Sequence, residues 1–203
     1  MKKTLLVLLS LISISSFAQK IDTVINTGVY KSYFNYKLKE PVYVEYILYH
    51  GGGDCDRSVF HFKNDTKISM AKLSDYAHNG YDQGHLANAE DFANDCIKDE
   101  KTFRFYNCLP QTPNLNRGIW KHWEETIRDE SQKDSLYIIC GGKFGKNLMG
   151  TVAVPDYCFK IVKNLKTNKI THTLWFTNKM EDNIVKEITI DQLWVLLGYK
   201  IKL

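Results

Sequence analysis

Apolar and polar residues alternate through PVYVEYILYH (Pro41–His50), a run rich in valine and tyrosine, and a period of two predicts a half-buried strand. Gly51, Gly52 and Gly53 break it. SVFHFK (Ser58–Lys63) and TFRFYNC (Thr102–Cys108) alternate in the same way and read as two more strands, the second stopped by LPQTP. LYIICGG, VAVPDYCFKIVK and THTLWFT, between Leu136 and Thr177, add three further strands. The period changes elsewhere. EDFANDCIKDEKT (Glu90–Thr102) is polar and helix-like, with Lys98, Asp99, Glu100 and Lys101 as a solvated run of mixed charge. LNRGIWKHWEETIRDE (Leu115–Glu130) predicts a helix, and TIDQLWVLLG (Thr189–Gly198) a short terminal one, with Asp191 near its start and Gly198 at its end. Strands outnumber helices and no βαβ alternation recurs. The fold class expected is therefore α+β, on a mainly antiparallel sheet with flanking helices.

The N-terminus follows a different pattern. Lys2 and Lys3 precede the uncharged run TLLVLLSLISISSF, and small residues reach to Ala18. That is the pattern of a secretory signal peptide over residues 1–18, cut after Ala18, and it predicts a secreted or periplasmic protein. The run is too short for a good membrane span, and no second one follows. The absence of repeats, low-complexity tracts and linkers predicts one domain over residues 19–203. Charge changes the picture little. The formal net charge of +4 falls to +2 once the two leader lysines are gone, which permits a nucleic-acid partner without requiring one. Five cysteines (Cys55, Cys96, Cys108, Cys140 and Cys158) allow at most two disulfides in an exported chain. No C-x-x-C pair is present, which argues against zinc.

Candidate chemistry concentrates in two places. In YDQGHLANAEDF (Tyr81–Phe92), His85 follows Gly84, a residue that allows close backbone approach. In the central helix, Asn116, Trp120, Glu124 and Arg128 recur at i+4, so they share a slowly drifting face. A lone helix would show such residues as a solvated face with a Glu124–Arg128 ion pair. A histidine aimed by a glycine turn, beside an asparagine at a helix start, is instead a base-plus-metal constellation. His50, His61, His78, His122 and His172 have no partner spacing and read as ordinary histidines, and Trp120 and Trp123 read as core.

Tyr81-Asp82-Gln83-Gly84-His85-Leu86-Ala87, then Asn107-x-x-Pro110-Gln111, then Asn116, Trp120, Glu124 and Arg128 together resemble the DNA/RNA non-specific endonuclease family. That family belongs to the ββα-metal (His-Me finger) nucleases and includes mitochondrial endonuclease G. Arg57 and Phe60 resemble its upstream Arg-x-x-Phe, and the similarity runs from about Val42 to Gly198. The resemblance implies a ββα-metal core and a nuclease acting on DNA and RNA as substrates, without a membrane partner. It makes His85 the general base and Asn116 the metal ligand. Arg57 and Arg128 would be the phosphate-contacting and helix-supporting arginines, and Asn107 and Gln111 would hold the hairpin and the helix start. On a straight helix Glu124 lies about 12 Å from Asn116 along the axis at ~1.5 Å per residue, so it is expected to act through a metal-bound water. An oxygen ligand completed by waters suits Mg²⁺, with Mn²⁺ as a substitute. Two positions depart from the family pattern. Gln83 replaces the motif arginine, which bears on substrate binding, and Asn88 stands where proline is common. Gln83 raises the rival reading of a weakened nucleic-acid-binding homologue, with a basic residue such as Lys72 or Arg104 as compensation. A second rival is a phosphodiesterase of the same fold with a narrower substrate.

Overall fold

The computed structural model describes residues 19–181 and 184–203; the expected leader lies outside them. The elements run β1 (Thr23–Asn26), β2 (Tyr30–Asn35), β3 (Glu40–Leu48), α1 (Leu73–Tyr76), β4 (Asp82–His85), α2 (Cys96–Thr102), β5 (Cys108–Gln111), α3 (Lys121–Ser131), β6 (Leu136–Met149), β7 (Val152–Asn164), β8 (Lys169–Thr177), β9 (Val185–Glu187) and α4 (Ile190–Leu197). Seven strands form one antiparallel sheet in the order β1-β2-β3-β6-β7-β8-β9. The β4–β5 pair stands apart as a two-stranded finger. The class is α+β with a mainly antiparallel sheet, as expected.

Apolar side chains leave both faces of the large sheet. On one face Val42, Ile139, Phe159 and Ile161 pack with Leu193 and Leu197 of α4. On the other, Val44, Ile138, Cys158 and Val162 meet Leu109, Leu115 and Trp120 from the finger and the helix after it. Burial on both faces is why the central strands read as nearly continuous apolar runs. Period-two alternation along β7 also puts Lys160 on the finger side, between Cys158 and Val162. Helix α4 matches its sequence signals: Thr189 caps it in a reciprocal box with Gln192, and Gly198 ends it at φ 80°.

Several expected elements are different. Ser58–Lys63 is not a strand; Lys63 makes an isolated bridge with Arg104, and Phe62 turns toward His85 instead. Thr102–Cys108 is also no strand, because Asn107 turns inward to bind backbone and Arg104 folds onto Asp65. The strand begins only at Cys108 and runs to Gln111, through residues expected to stop it. The polar stretch from Glu90 splits into a 3-10 turn (Ala89–Phe92) and α2, which Asp95 caps. Asp99 in the charge run is fully buried rather than solvated, because α2 turns that side inward. The central helix opens as a π-turn over Leu115–Trp120 with non-helical Gly118 (φ −107°, ψ −111°) before α3 begins. One disulfide forms, Cys55–Cys96, while Cys108, Cys140 and Cys158 are buried thiols.

Candidate active site

Polar clamps hold the finger. Asn107 Oδ1 accepts from the Ala87 N–H at 2.9 Å, and its amide donates to the carbonyls of Ala87 and Thr102 at 2.9 and 2.8 Å. The side chain is fully buried, so each bond contributes about 1 kcal/mol and each lost partner costs more. A Cβ on Gly84 would sit 2.0 Å from Gln111 Oε1, so only glycine lets Gln111 lie against the strand. Trp120, fully buried, donates from Nε1 to the His85 carbonyl at 3.3 Å and joins the finger to the helix. Its truncation to alanine would cost about 3–5 kcal/mol. The structural roles expected for Asn107 and Trp120 are what the geometry shows. The Gln111 amide instead meets Cys158 Sγ of the large sheet at 3.6 Å rather than the helix start, and its Oε1 is buried without a partner among the described residues.

His85 ends β4 with its ring between Phe62 and Phe103, whose centroids lie 4.6 and 4.8 Å away. Nε2 is enclosed without a partner among the described residues, which leaves Nδ1 as the nitrogen able to meet a water. Burial, and secondarily the charge of Arg57, push the pKa down to about 3, so the imidazole is neutral at ordinary pH.

Beside it opens a cleft of ≈ 590 Å³ whose lining includes Arg57, Asn88, Asn116, Glu124 and Arg128, together with Glu90, Arg117, Lys121 and Glu125. Four of the expected residues are therefore brought together. His85 is not in its lining but adjoins it through Arg57. Gln83 faces a neighbouring cleft instead, with Asn116 and Arg117 shared between the two. Arg104 is buried and bound to Asp65, which excludes it as a stand-in for the motif arginine. Arg117, missed in the sequence, is the cation next to Gln83. Its position directly after Asn116 was the available signal.

Asp82 organises the helix start. Asn116 Nδ2 donates to Asp82 Oδ2 at 3.0 Å, and Arg117 grips the same carboxylate at 2.8 and 2.6 Å. Desolvation is the largest influence on Asp82 and acts upward, but the bonds from Arg117 and Asn116 outweigh it and hold its pKa low. Asn116 thus has its amide nitrogen bound to Asp82, and its side chain lines the cleft. Further along, Glu124 is buried, and burial raises its pKa against the pull of Lys160. The helix is not straight between the two residues, so the 12 Å spacing of an ideal helix does not apply. Kinked at Gly118, the chain directs both into one cleft.

Arg128 does not pair with Glu124 as a lone helix would suggest. Its Nε donates to Asp91 at 2.9 Å and its Nη2 to Asn88 Oδ1 at 3.0 Å. Asp91, buried and also bound by the Tyr46 hydroxyl at 2.9 Å, has its pKa pushed up to about 6 by desolvation. Arg57 forms an ion pair with Glu90, close to buried Asp99. The segment that supplies Glu90 and Asp91 was read only as part of a helix-like stretch, with no signal for these partners.

The donors fit a hard cation: an amide oxygen and a carboxylate share the cleft. Among the described residues no group of three or more His, Cys, Asp or Glu gathers. No helix of the described residues is long and apolar enough to cross a membrane.

The family model for DNA/RNA non-specific endonucleases matches residues 10–201. A nuclease from Nostoc sp. is 41% identical over 90 residues, covering 43% of this chain and 33% of its own. Human mitochondrial endonuclease G is 30% identical over 128 residues, covering 54% and 43%. Nuclease C1 of Cunninghamella echinulata is 31% identical over 129 residues, covering 55% and 51%. The chain thus spans about half or less of the length of these curated relatives. A solved chain from the EndoG/EndoGI complex superposes with a TM-score of 0.75 over 90% of this chain and 86% of its own, at 22% identity. That likeness shows the fold.

Proposed function

The chain belongs to the DNA/RNA non-specific endonuclease family, and from that premise we propose an exported, divalent-metal-dependent endonuclease that hydrolyses phosphodiester bonds of DNA and RNA with little sequence preference. One observation carries the proposal. A polar cleft collects the Asn116 side chain, the Glu124 carboxylate and the Arg57 and Arg128 cations, with a neutral imidazole adjoining it. Neutral His85 accepts a proton from the attacking water through Nδ1. Asn116 would hold the metal through its side-chain oxygen, and Glu124, in the same cleft, would act on it through water. The chemistry such an ion, Mg²⁺ or Mn²⁺, would supply when bound is neutralisation of the charge that builds on the phosphate. Arg57 contacts the phosphate after exchanging Glu90 for it. Arg128 braces the helix against Asp91 and the finger.

Export is supported by the N-terminal pattern and by the Cys55–Cys96 disulfide, which suits an oxidising compartment. One domain over residues 19–203 carries the reaction. Gln83 faces the neighbouring cleft beside Arg117, so its neutrality bears on substrate grip more than on the chemistry and argues against an inactive binding homologue.

The test is direct. Protein from residue 19 onward is incubated with plasmid DNA and with RNA, in Mg²⁺ and in EDTA. Cleavage of both is expected with Mg²⁺ and none with EDTA. Undiminished cleavage by metal-stripped protein in EDTA would overturn the mechanism.

A further inference from the structure

A lone charge inside the apolar run CFKIV of β7 lies under the helix. Lys160 is 1% exposed, on the finger side of the sheet. Its ammonium sits 3.7 Å from Glu124 Oε1, 3.7 Å from the centroid of the Trp120 ring and 3.5 Å from Cys140 Sγ. Lysine is seldom buried without a partner, and the Glu124 carboxylate is its ion-pair partner here. On the other side of that carboxylate stands Asn88. Its Oδ1 takes the Arg128 donor at 3.0 Å, and its side chain is also a hydrogen-bond neighbour of Glu124. Glu124 is therefore held from the sheet below and the finger beside it.

We propose that Lys160 and Asn88 are positioning residues that fix the Glu124 carboxylate in one orientation, facing the cleft beside Asn116. The proposal rests on the reading of Glu124 as a participant in cleavage. At position 88 an asparagine accepts from Arg128 beside Glu124, where a proline side chain would offer neither donor nor acceptor. Trp120 shares in the arrangement by covering the ammonium with its ring face, which favours a desolvated cation.

Two measurements test it. Lys160→Met, Lys160→Arg and Asn88→Ala are made in the wild-type chain and in Glu124→Gln, with thermal unfolding followed for each. Lys160→Met should lower kcat at least tenfold with KM for DNA within about twofold, and Lys160→Arg should recover part of the loss. In the Glu124→Gln background the same substitution should cost less than twofold, because the residue acts through the carboxylate. Equal losses in both backgrounds would overturn the proposal. The second measurement needs no activity: crystal structures of Lys160→Met and Asn88→Ala should show the Glu124 carboxylate displaced. A carboxylate unmoved in both would overturn it. If Lys160→Met fails to fold, Asn88→Ala, at a half-buried position, carries both readouts. A wild-type protein without cleavage would sink the proposed function, while the crystallographic comparison would still decide the positioning.

Discussion

His85 and His172 are the same side chain in opposite settings. His85 lies on the finger between two phenylalanine rings, with Nε2 enclosed and partnerless. His172 lies on β8, where Nε2 meets Glu130 of α3 at 2.8 Å and Nδ1 meets Glu187 of β9 at 3.0 Å. Burial lowers the pKa in both. At His85 nothing opposes it, and the nearby Arg57 adds to the effect. At His172 the hydrogen bonds to Glu130 and Glu187 outweigh burial and raise the pKa. One ring is thus held neutral by its surroundings, while the other is a cross-link between helix and sheet edge whose charged form its two carboxylates favour. The difference shows that a histidine's role is set by what walls it, and only the neutral ring can take a proton.

The sharpest way to break this contrast is to remove each ring. His85→Ala should reduce cleavage by about 10²–10⁴-fold with the protein still folded, whereas His172→Ala should leave the rate within about twofold. Comparable rates for the two variants, measured on plasmid DNA with Mg²⁺, would make His85 a structural residue.

Glu124→Gln should be milder than Asn116→Ala, since a contact through water is the more replaceable of the two. The pair is compared by kcat and by Mg²⁺ titration, and the reverse ranking would exchange their roles.

Titration followed by NMR of the imidazole C–H protons should separate the two histidines, with His85 unprotonated at pH 5 and His172 protonated there. The linkage to stability has opposite signs. His85 has a folded pKa below its unfolded value of ~6.5, so its contribution is lost as pH falls from there toward 3. His172 has a raised folded pKa, so its contribution is full below ~6.5 and is lost as pH rises through the folded value. Because the His172 site is partly open to solvent, its effect is about 1 kcal/mol or less. Chemical denaturation of His172→Asn across pH 5–8 reads it. Phe62→Ala should let water reach His85 and raise its pKa toward 6.5.

The smallest effect is expected at Gln83. Gln83→Arg should tighten nucleic-acid binding and steepen its log–log salt dependence by up to about one unit. Unchanged affinity and slope would mean that Arg117 already serves a phosphate there.

The sequence by itself determined the elements whose signals are local. Alternation marked β3 and apolar runs marked β6, β7 and β8; Asp191 and Gly198 signalled α4; and motif order placed His85, Asn116 and Glu124 in one family. It misread Thr102–Cys108, where alternation came from Asn107 turning into a clamp rather than from a pleated strand. Tertiary structure alone decided the electrostatics of the site. Arg128 had Glu124 one turn away and took Asp91, while Glu124 received Lys160 from a strand that no periodicity links to the helix. The dryness of His85 likewise depends on Phe62 and Phe103, brought in by irregular chain. The physical reason is range. Periodicity and capping act over a few residues of one segment, whereas desolvation and charge pairing depend on which segments meet in the folded core.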